Sequence, residues 1–420
     1  MRVHFIGIGG IGVSALAKFY TFNGHQVSGS DDFKQSEIVK DLKKVGARVF
    51  LNYRASNVGR PDLVVYSAAI KADNPERRAA LKNGIESLSY AEALGRLTKE
   101  YFTIAVSGSH GKSTTTALLS LILIKAGFDP TVIVGTKLTE FKEGNFRAGQ
   151  SGYLIIEADE WNRSFHNYYP RVIILTNIDK EHLDTYKSFK GIVAGFARYI
   201  KNLSSDGFMV ANWQDAAIRK ISQKSPAQSV WYNRGRFQKH PLLIPGQHNQ
   251  LNAEAAWTAA KKLGVKKSVA NYVFSHYRGA WRRLEKLNGG VYTDYAHHPT
   301  EIKATLRALK EKYPKRELIC IFQPHQQDRL NRLFGEFVGS FEDADRVVVV
   351  PLYKAKGREY GEGKNSSDLY EAVSKQKKAD SVFYADKFGD IPKILKSFQK
   401  NAVIVFMSAG DLDNWARGHY

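Results

Sequence analysis

One stretch limits the possible folds more than any other. Tyr101-Phe-Thr-Ile-Ala-Val-Ser107 runs into Gly108-Ser109-His110-Gly111-Lys112-Ser113-Thr114, and an apolar run, Ala117-Leu-Leu-Ser-Leu-Ile-Leu123, follows. A β-branched strand, a glycine turn and a helix in that order gather backbone N–H groups and the positive helix end around an anion. Lys112 would then carry its charge to the outer phosphates of a nucleotide, and the Ser113 hydroxyl would be a Mg²⁺ ligand. The general pattern puts four residues between the first glycine and the Gly-Lys pair; here two separate Gly108 from Gly111. The plain alternative is a glycine turn ahead of a buried helix.

The chain opens on a similar plan. Residues 2–8 read as a strand, Gly7-Ile-Gly9-Gly10-Ile11-Gly12 as a turn that admits a diphosphate, and Val13 onward as a helix. A second strand, His25 to Ser30, ends in Asp31 and Asp32, placed to accept from a ribose hydroxyl. Alone this predicts NAD; with a separate nucleotide loop downstream, it fits another dinucleotide-like ligand equally. Helices are expected over 36–45 and 75–82, with strands at Leu63–Ser67 and near Ile85. The unit closes near residue 98, and Thr98-Lys-Glu-Tyr101 reads as a linker.

Further strands are expected at Thr131–Val134, Tyr153–Glu157 and Arg171–Asn177. They deliver Glu157-Ala-Asp159-Glu160 and then Glu181, His182 and Asp184 at their exits, where α/β sheets gather ligands. Acids and a histidine there suit Mg²⁺. Pro245-Gly-Gln-His-Asn249-Gln-Leu-Asn252 starts a helix with two amides on one face, fit for an adenine edge or for capping. Beyond it, strands ending in Asp294 and Phe322 lead to His297-His298 and to His325 and Arg329 in a third alternating α/β unit. The adjacent histidines are poorly spaced for tetrahedral zinc.

An excess of basic residues gives a net charge of +21 and favours polyanionic partners. The basic residues are scattered without a nucleic-acid-binding motif, so no nucleic acid is expected. The single cysteine, Cys320, excludes an intrachain disulfide and sits in a core-like strand. The N-terminal apolar run breaks at once on glycines, and no run approaches the roughly 18 residues of a membrane span, so a cytoplasmic protein without membrane attachment is expected.

Taken together, these motifs resemble the Mur ligases of peptidoglycan synthesis over essentially the whole chain. The segments that carry the likeness include Gly7–Gly12, Asp73-Asn-Pro-Glu76, Gly108–Thr116, Glu157–Glu160, His182-Leu-Asp184, Gly246-Gln-His-Asn249, Asp294-Tyr-Ala-His-His-Pro-Thr-Glu301, Phe322-Gln-Pro-His325 and Ala409-Gly-Asp411. The shortened loop looks like that family's own nucleotide loop. The resemblance implies an α/β protein of three domains: a Rossmann-like UDP-binding domain (1–98), a central ATPase (99–277) and a C-terminal Rossmann-like domain (278–420) that closes on the nucleotide.

It also implies an ATP- and Mg²⁺-dependent ligase, nearest the branch that joins L-alanine to UDP-N-acetylmuramate through an acyl phosphate. By the same resemblance Lys112 stabilises the transferring phosphoryl group. Gly108, Ser109, His110, Gly111, Ser113 and Thr114 line the ATP loop, while Asn249, Asn252 and Asp294 contact adenosine. Ser113 with Glu157, and Glu157 with His182, hold metal. His298, His325 and Arg329 face the amino acid and the acyl phosphate. Gly9, Gly10, Ile11, Gly12, Ser14, Asp31 and Ser67 surround the UDP part. The chain departs from the family pattern at Trp161-Asn162-Arg163, at Gln326-Gln327-Asp328 and in the lysine-rich stretch Lys354 to Lys364. The amino acid therefore stays open, with a tripeptide-adding relative and a non-catalytic nucleotide-binding scaffold as alternatives. A monomer or weak homodimer is expected.

Overall fold

The computed structural model describes residues 1–32, 37–235, 238–354, 363–398 and 401–420. Ser36, at the start of an expected helix, and residues 355–362 of the lysine-rich stretch lie outside them. The chain divides into two compact units, Met1–His240 with Asn252–Ser275 and Pro241–Leu251 with His276–Tyr420. The division falls within the helix Gln247–Lys262.

The first unit holds two sheets. In the first, β1 (Arg2–Ile6), β2 (Gln26–Ser30), β3 (Arg48–Phe50), β4 (Leu63–Tyr66) and β5 (Ser87–Ser89) are all parallel, in the order β3-β2-β1-β4-β5. Each parallel step needs a crossover, and the four connections carry the helices Ile11–Phe22, Glu37–Lys44, Ala55–Val58 and Pro75–Lys82. The chain leaves β1 in one direction and later returns to its other side, so Gly7–Gly12 lie at the switch point of this sheet. Asn74 caps the helix Pro75–Lys82, and a reciprocal Ser89–Glu92 box caps Tyr90–Glu100.

The expected linker at Thr98–Tyr101 is absent; Thr98 to Glu100 form the last turn of the helix Tyr90–Glu100, and the next strand starts at Phe102. Thr98 is buried, and its hydroxyl donates to Gly95 O at 2.6 Å, so this polar residue is satisfied inside the helix.

The second sheet contains β6 (Phe102–Ser107), β7 (Thr131–Ile133), β8 (Phe146–Arg147), β9 (Tyr153–Ala158), β10 (Val172–Leu175), β11 (Phe208–Asn212) and β12 (Gln228–Tyr232). Their order is β12-β11-β10-β6-β9-β7-β8, parallel except for the β7–β8 pair. Val172–Leu175 are all buried, as an apolar run covered on both faces should be. β6 sits between β9 and β10, so the exits of these three neighbours open side by side.

The two sheets of this unit share a polar clamp. Lys18, 1% exposed, donates to Glu143 O at 2.6 Å and to Asn145 Oδ1 at 2.8 Å. Asn145 Nδ2 in turn donates to Ile11 O and to Ser14 Oγ. The β7–β8 connection is thereby tied to the helix that follows the first glycine loop.

The second unit is built on β13 (Glu285–Asn288), β14 (Val291–Asp294), β15 (Leu318–Phe322), β16 (Arg346–Val349), β17 (Val382–Tyr384) and β18 (Val403–Met407). Its order is β13-β14-β18-β15-β16-β17, with β13 antiparallel to β14 and the rest parallel. Cys320 is fully buried in β15, where the sequence puts it. Among the described residues no helix is long and apolar enough to cross a membrane.

Candidate active site

The loop after β6 has the backbone its glycines predict. Gly108 has φ +130° and Gly111 φ +83°. A Cβ on Gly108 would collide with Thr176 Oγ1, and one on Gly111 would collide with Asn252 Oδ1. Only glycine combines that backbone with that proximity. The exit of β10 holds the loop in place: Asn177 Oδ1 accepts from His110 N at 2.8 Å, Thr176 Oγ1 donates to His110 O at 2.7 Å, and Asp179 N donates to Ser109 Oγ. His110 Nε2 lies 2.9 Å from Asp179 Oδ2. The helix Lys112–Lys125 follows with no side-chain cap and no acid in its first turn, which leaves its positive end to an anion. Ser113 and Thr114 are buried on that turn.

Lys112 Nζ donates to Gly108 O at 2.7 Å and to Glu160 Oε2 at 2.9 Å. Burial alone would lower its pKa, but the charges of Glu160, Asp159 and Glu157 outweigh burial and hold it above the ordinary lysine value. The β9 exit supplies these acids. Glu157 Oε2 accepts from Ser113 Oγ at 3.1 Å, and Oε1 accepts from Gly135 N at 2.7 Å. A side chain at Gly135 would collide with the Glu157 carboxylate.

His182, with φ +52°, brings its Nε2 to 3.7 Å from Glu160 Oε1 and 3.9 Å from Asp159 Oδ1. Ligand atoms of Asp159, Glu160 and His182 lie within 4.8 Å of one another. Ser113 and Glu157 thus stand together as expected, whereas His182 stands beside Asp159 and Glu160. Opposing effects act on Asp159: burial raises its pKa, but the charges of Lys112 and His182 bring it below the usual carboxylate value.

Around the first glycine loop, Gly9 N donates to Asp31 Oδ2 at 2.8 Å, and a Cβ on Gly9 would strike the same carboxylate. Gly10 precedes the helix Ile11–Phe22, which has no side-chain cap and no acid in its first turn. Gly12 faces the Tyr90 ring, and Ser67 packs against Gly7. Ser14 is fully buried; its hydroxyl donates to Ile11 O and accepts from Asn145, so it braces the loop from beneath.

Asn252 lies against Gly111 within the first unit. In the second unit, Asn249 Nδ2 donates to Pro245 O at 2.7 Å. Asp294 is buried and accepts from Leu284 N at 2.6 Å and Ala296 N at 2.8 Å; burial pushes its pKa up to about 6. His298 caps the helix Pro299–Lys312 through Thr300 N. His325 stacks on Tyr353 with ring centroids 5.4 Å apart, and Arg329 is buried one turn along, its guanidinium 3.5 Å from His325 O.

The chain matches three family models in succession: "Mur ligase family, catalytic domain" over residues 2–102, "Mur ligase middle domain" over 106–240 and "Mur ligase, glutamate ligase domain" over 282–410. It belongs to the Mur ligase family. A UDP-N-acetylmuramate–L-alanine ligase of Alkaliphilus metalliredigens is 37% identical, covering 98% of this chain and 95% of its own length. The Aquifex aeolicus protein of the same name is 36% identical, with 99% and 96% covered. The crystal structure of the Thermotoga maritima UDP-N-acetylmuramate–alanine ligase superposes with a TM-score of 0.82 at 27% identity, covering 100% of this chain and 98% of that one. A murein peptide ligase of Psychrobacter arcticus gives 0.73 at 25% identity, covering 100% and 99%.

In this Mur ligase, two features went unread in the sequence. The Glu160 partnership with Lys112 was hidden because Glu157, Asp159 and Glu160 share one strand exit. Asn145 gave no local signal, since its partner Ser14 is 131 residues away. Two of the departures from the family pattern fall on left-handed backbone: Asn162 (φ +51°), Arg163 (φ +56°) and Gln326 (φ +66°). Trp161 Nε1 donates to Asp184 Oδ2 at 3.3 Å, which ties the first of them to the turn after His182.

Proposed function

We propose that the protein is an ATP-dependent ligase that joins L-alanine to the lactyl carboxylate of UDP-N-acetylmuramate. The observation that carries this reading is the convergence of Lys112, Ser113, Glu157, Glu160 and His182 at the adjoining exits of β6, β9 and β10. The L-alanine-adding relatives over the full chain support the choice of acceptor and amine.

The reaction needs little covalent help from the protein, because phosphoryl transfer depends on position and charge neutralisation. A carboxylate oxygen of the acceptor attacks the γ-phosphorus of ATP while the bond to ADP breaks, giving an acyl phosphate. Lys112 follows the charge onto the bridging and γ oxygens, and the N–H groups of residues 108–113 hold the phosphates. The amine of L-alanine then attacks the acyl carbon. Phosphate leaves with the former carboxylate oxygen, and the amine loses a proton. By the family resemblance, His298, His325 and Arg329 would face the amino acid and the acyl phosphate, and Asn249, Asn252 and Asp294 are the residues expected to contact adenosine.

The donor set also fits magnesium. Ser113 Oγ and the Glu157 carboxylate are hard oxygen donors 3.1 Å apart and would hold one ion. His182 would serve a second, with Asp159 and Glu160 oxygens in reach. Bound there, Mg²⁺ neutralises the phosphate oxygens. Gly9, Gly10 and Asp31 would hold the UDP part at the switch point of the first sheet.

The test is phosphate release with ATP, Mg²⁺ and UDP-N-acetylmuramate, comparing L-alanine, glycine, L-serine and the L-alanyl-γ-D-glutamyl-meso-diaminopimelate tripeptide. Release that depends on L-alanine supports the proposal; release only with the tripeptide assigns the chain to the recycling reaction.

A further inference from the structure

Tyr90 opens the helix Tyr90–Glu100, held in place by the Ser89–Glu92 capping box. Its ring rests against the first glycine loop: a Cβ on Gly12 would sit 2.9 Å from Tyr90 Oη and 3.0 Å from Cζ. The phenol also lies within electrostatic range of Glu157 and Asp159. Tyr90 therefore packs on the glycine loop of the first sheet and feels the charge of the acids at the exit of the second, within one compact unit. Its side chain is half-buried, and among the described residues its hydroxyl has no hydrogen-bond partner. Burial disfavours the phenolate, so the hydroxyl remains a protonated donor.

A phenol held this firmly with its O–H uncommitted is suited to an anion or sugar oxygen arriving between the two loops. Building on the ligase reading, we infer that Tyr90 is a specificity-determining residue: its hydroxyl donates a hydrogen bond to the lactyl carboxylate of the UDP-linked acceptor. The diphosphate rests at Gly9–Gly12, the γ-phosphate at Lys112, and the acid must lie between them. Tyr90 would hold that acid beside ATP and favour acceptors that carry it.

The experiment is Tyr90→Phe, which removes one oxygen and keeps the ring against Gly12. Wild type and variant are compared for binding of UDP-N-acetylmuramate and of UDP-N-acetylglucosamine, which lacks the lactyl acid, and for steady-state kinetics. A lost hydrogen bond to a charged group should raise KM for UDP-N-acetylmuramate about tenfold to a hundredfold. KM for ATP should stay within about twofold, and UDP-N-acetylglucosamine should bind as before. Equal weakening of both sugars, or no change in their discrimination, overturns the role of Tyr90 alone. A wild-type protein that binds neither UDP sugar overturns the ligase reading and this inference with it.

Discussion

The Lys112 ammonium lies 2.9 Å from Glu160 Oε2, with the Glu160 side chain fully buried beneath it. The lysine proposed to serve the phosphates is thus held by a carboxylate from the neighbouring strand exit. Glu160→Gln keeps the shape and one acceptor but removes the charge. We expect stability to fall by about 1–3 kcal/mol and kcat by at least about tenfold, read by denaturant unfolding and by phosphate release. Unchanged kcat would mean that Glu160 does not aim the lysine.

Gly108 is the position where the loop tolerates least. Its φ of +130° and the nearness of Thr176 Oγ1 leave an added methyl no place without moving the β10 exit. Gly108→Ala should weaken ATP binding by at least about a hundredfold, an effect of about 2.7 kcal/mol. Calorimetric titration with a non-hydrolysable ATP analogue checks it.

Ser113 and Glu157 are proposed to share one Mg²⁺. Ser113→Ala should raise the Mg²⁺ concentration for half-maximal activity about tenfold, with most of the rate restored at high Mg²⁺. Removing the metal with a chelator should stop phosphate release in both proteins. A Mg²⁺ titration curve that does not move would take Ser113 out of the metal site.

Asp294 gives a pH signature. Burial raises its folded pKa from 3.8 to about 6. Below about pH 4 folded and unfolded chains both hold the proton. Between about 4 and 6 the unfolded chain releases it first, so the contribution of this group to stability falls as pH rises, and above 6 the loss is complete. The shift corresponds to on the order of 3 kcal/mol. Asp294→Asn should therefore gain stability relative to wild type from pH 4 to pH 7, measured as the difference in unfolding free energy at each pH.

Much of this fold was legible because apolar strands and glycine turns are local signals. Phe102–Ser107 with Gly108–Ser113, and Tyr153–Ala158 with its acids, stand where the sequence puts them. Thr98–Tyr101 misled because polar residues resemble a linker until Thr98 is seen bonding back to Gly95. β13 was missed because Glu285–Asn288 is a polar edge strand whose pairing with β14 decides its conformation. The strain at Asn162, Arg163 and Gln326 has no sequence signature, since left-handed backbone at such residues is imposed by tertiary contacts. The place of His182 at a strand exit was legible, but its neighbours Asp159 and Glu160 follow from the turn geometry at φ +52°.

The central claim is that ATP activates a sugar-linked acid at the Lys112 loop. It is tested most directly with UDP-N-acetylmuramate carrying ¹⁸O in the lactyl carboxylate, incubated with ATP, Mg²⁺ and L-alanine, and with mass analysis of the released phosphate. The account predicts one carboxylate oxygen in each phosphate for each amide bond formed. Amide formation with no label in the phosphate would contradict it.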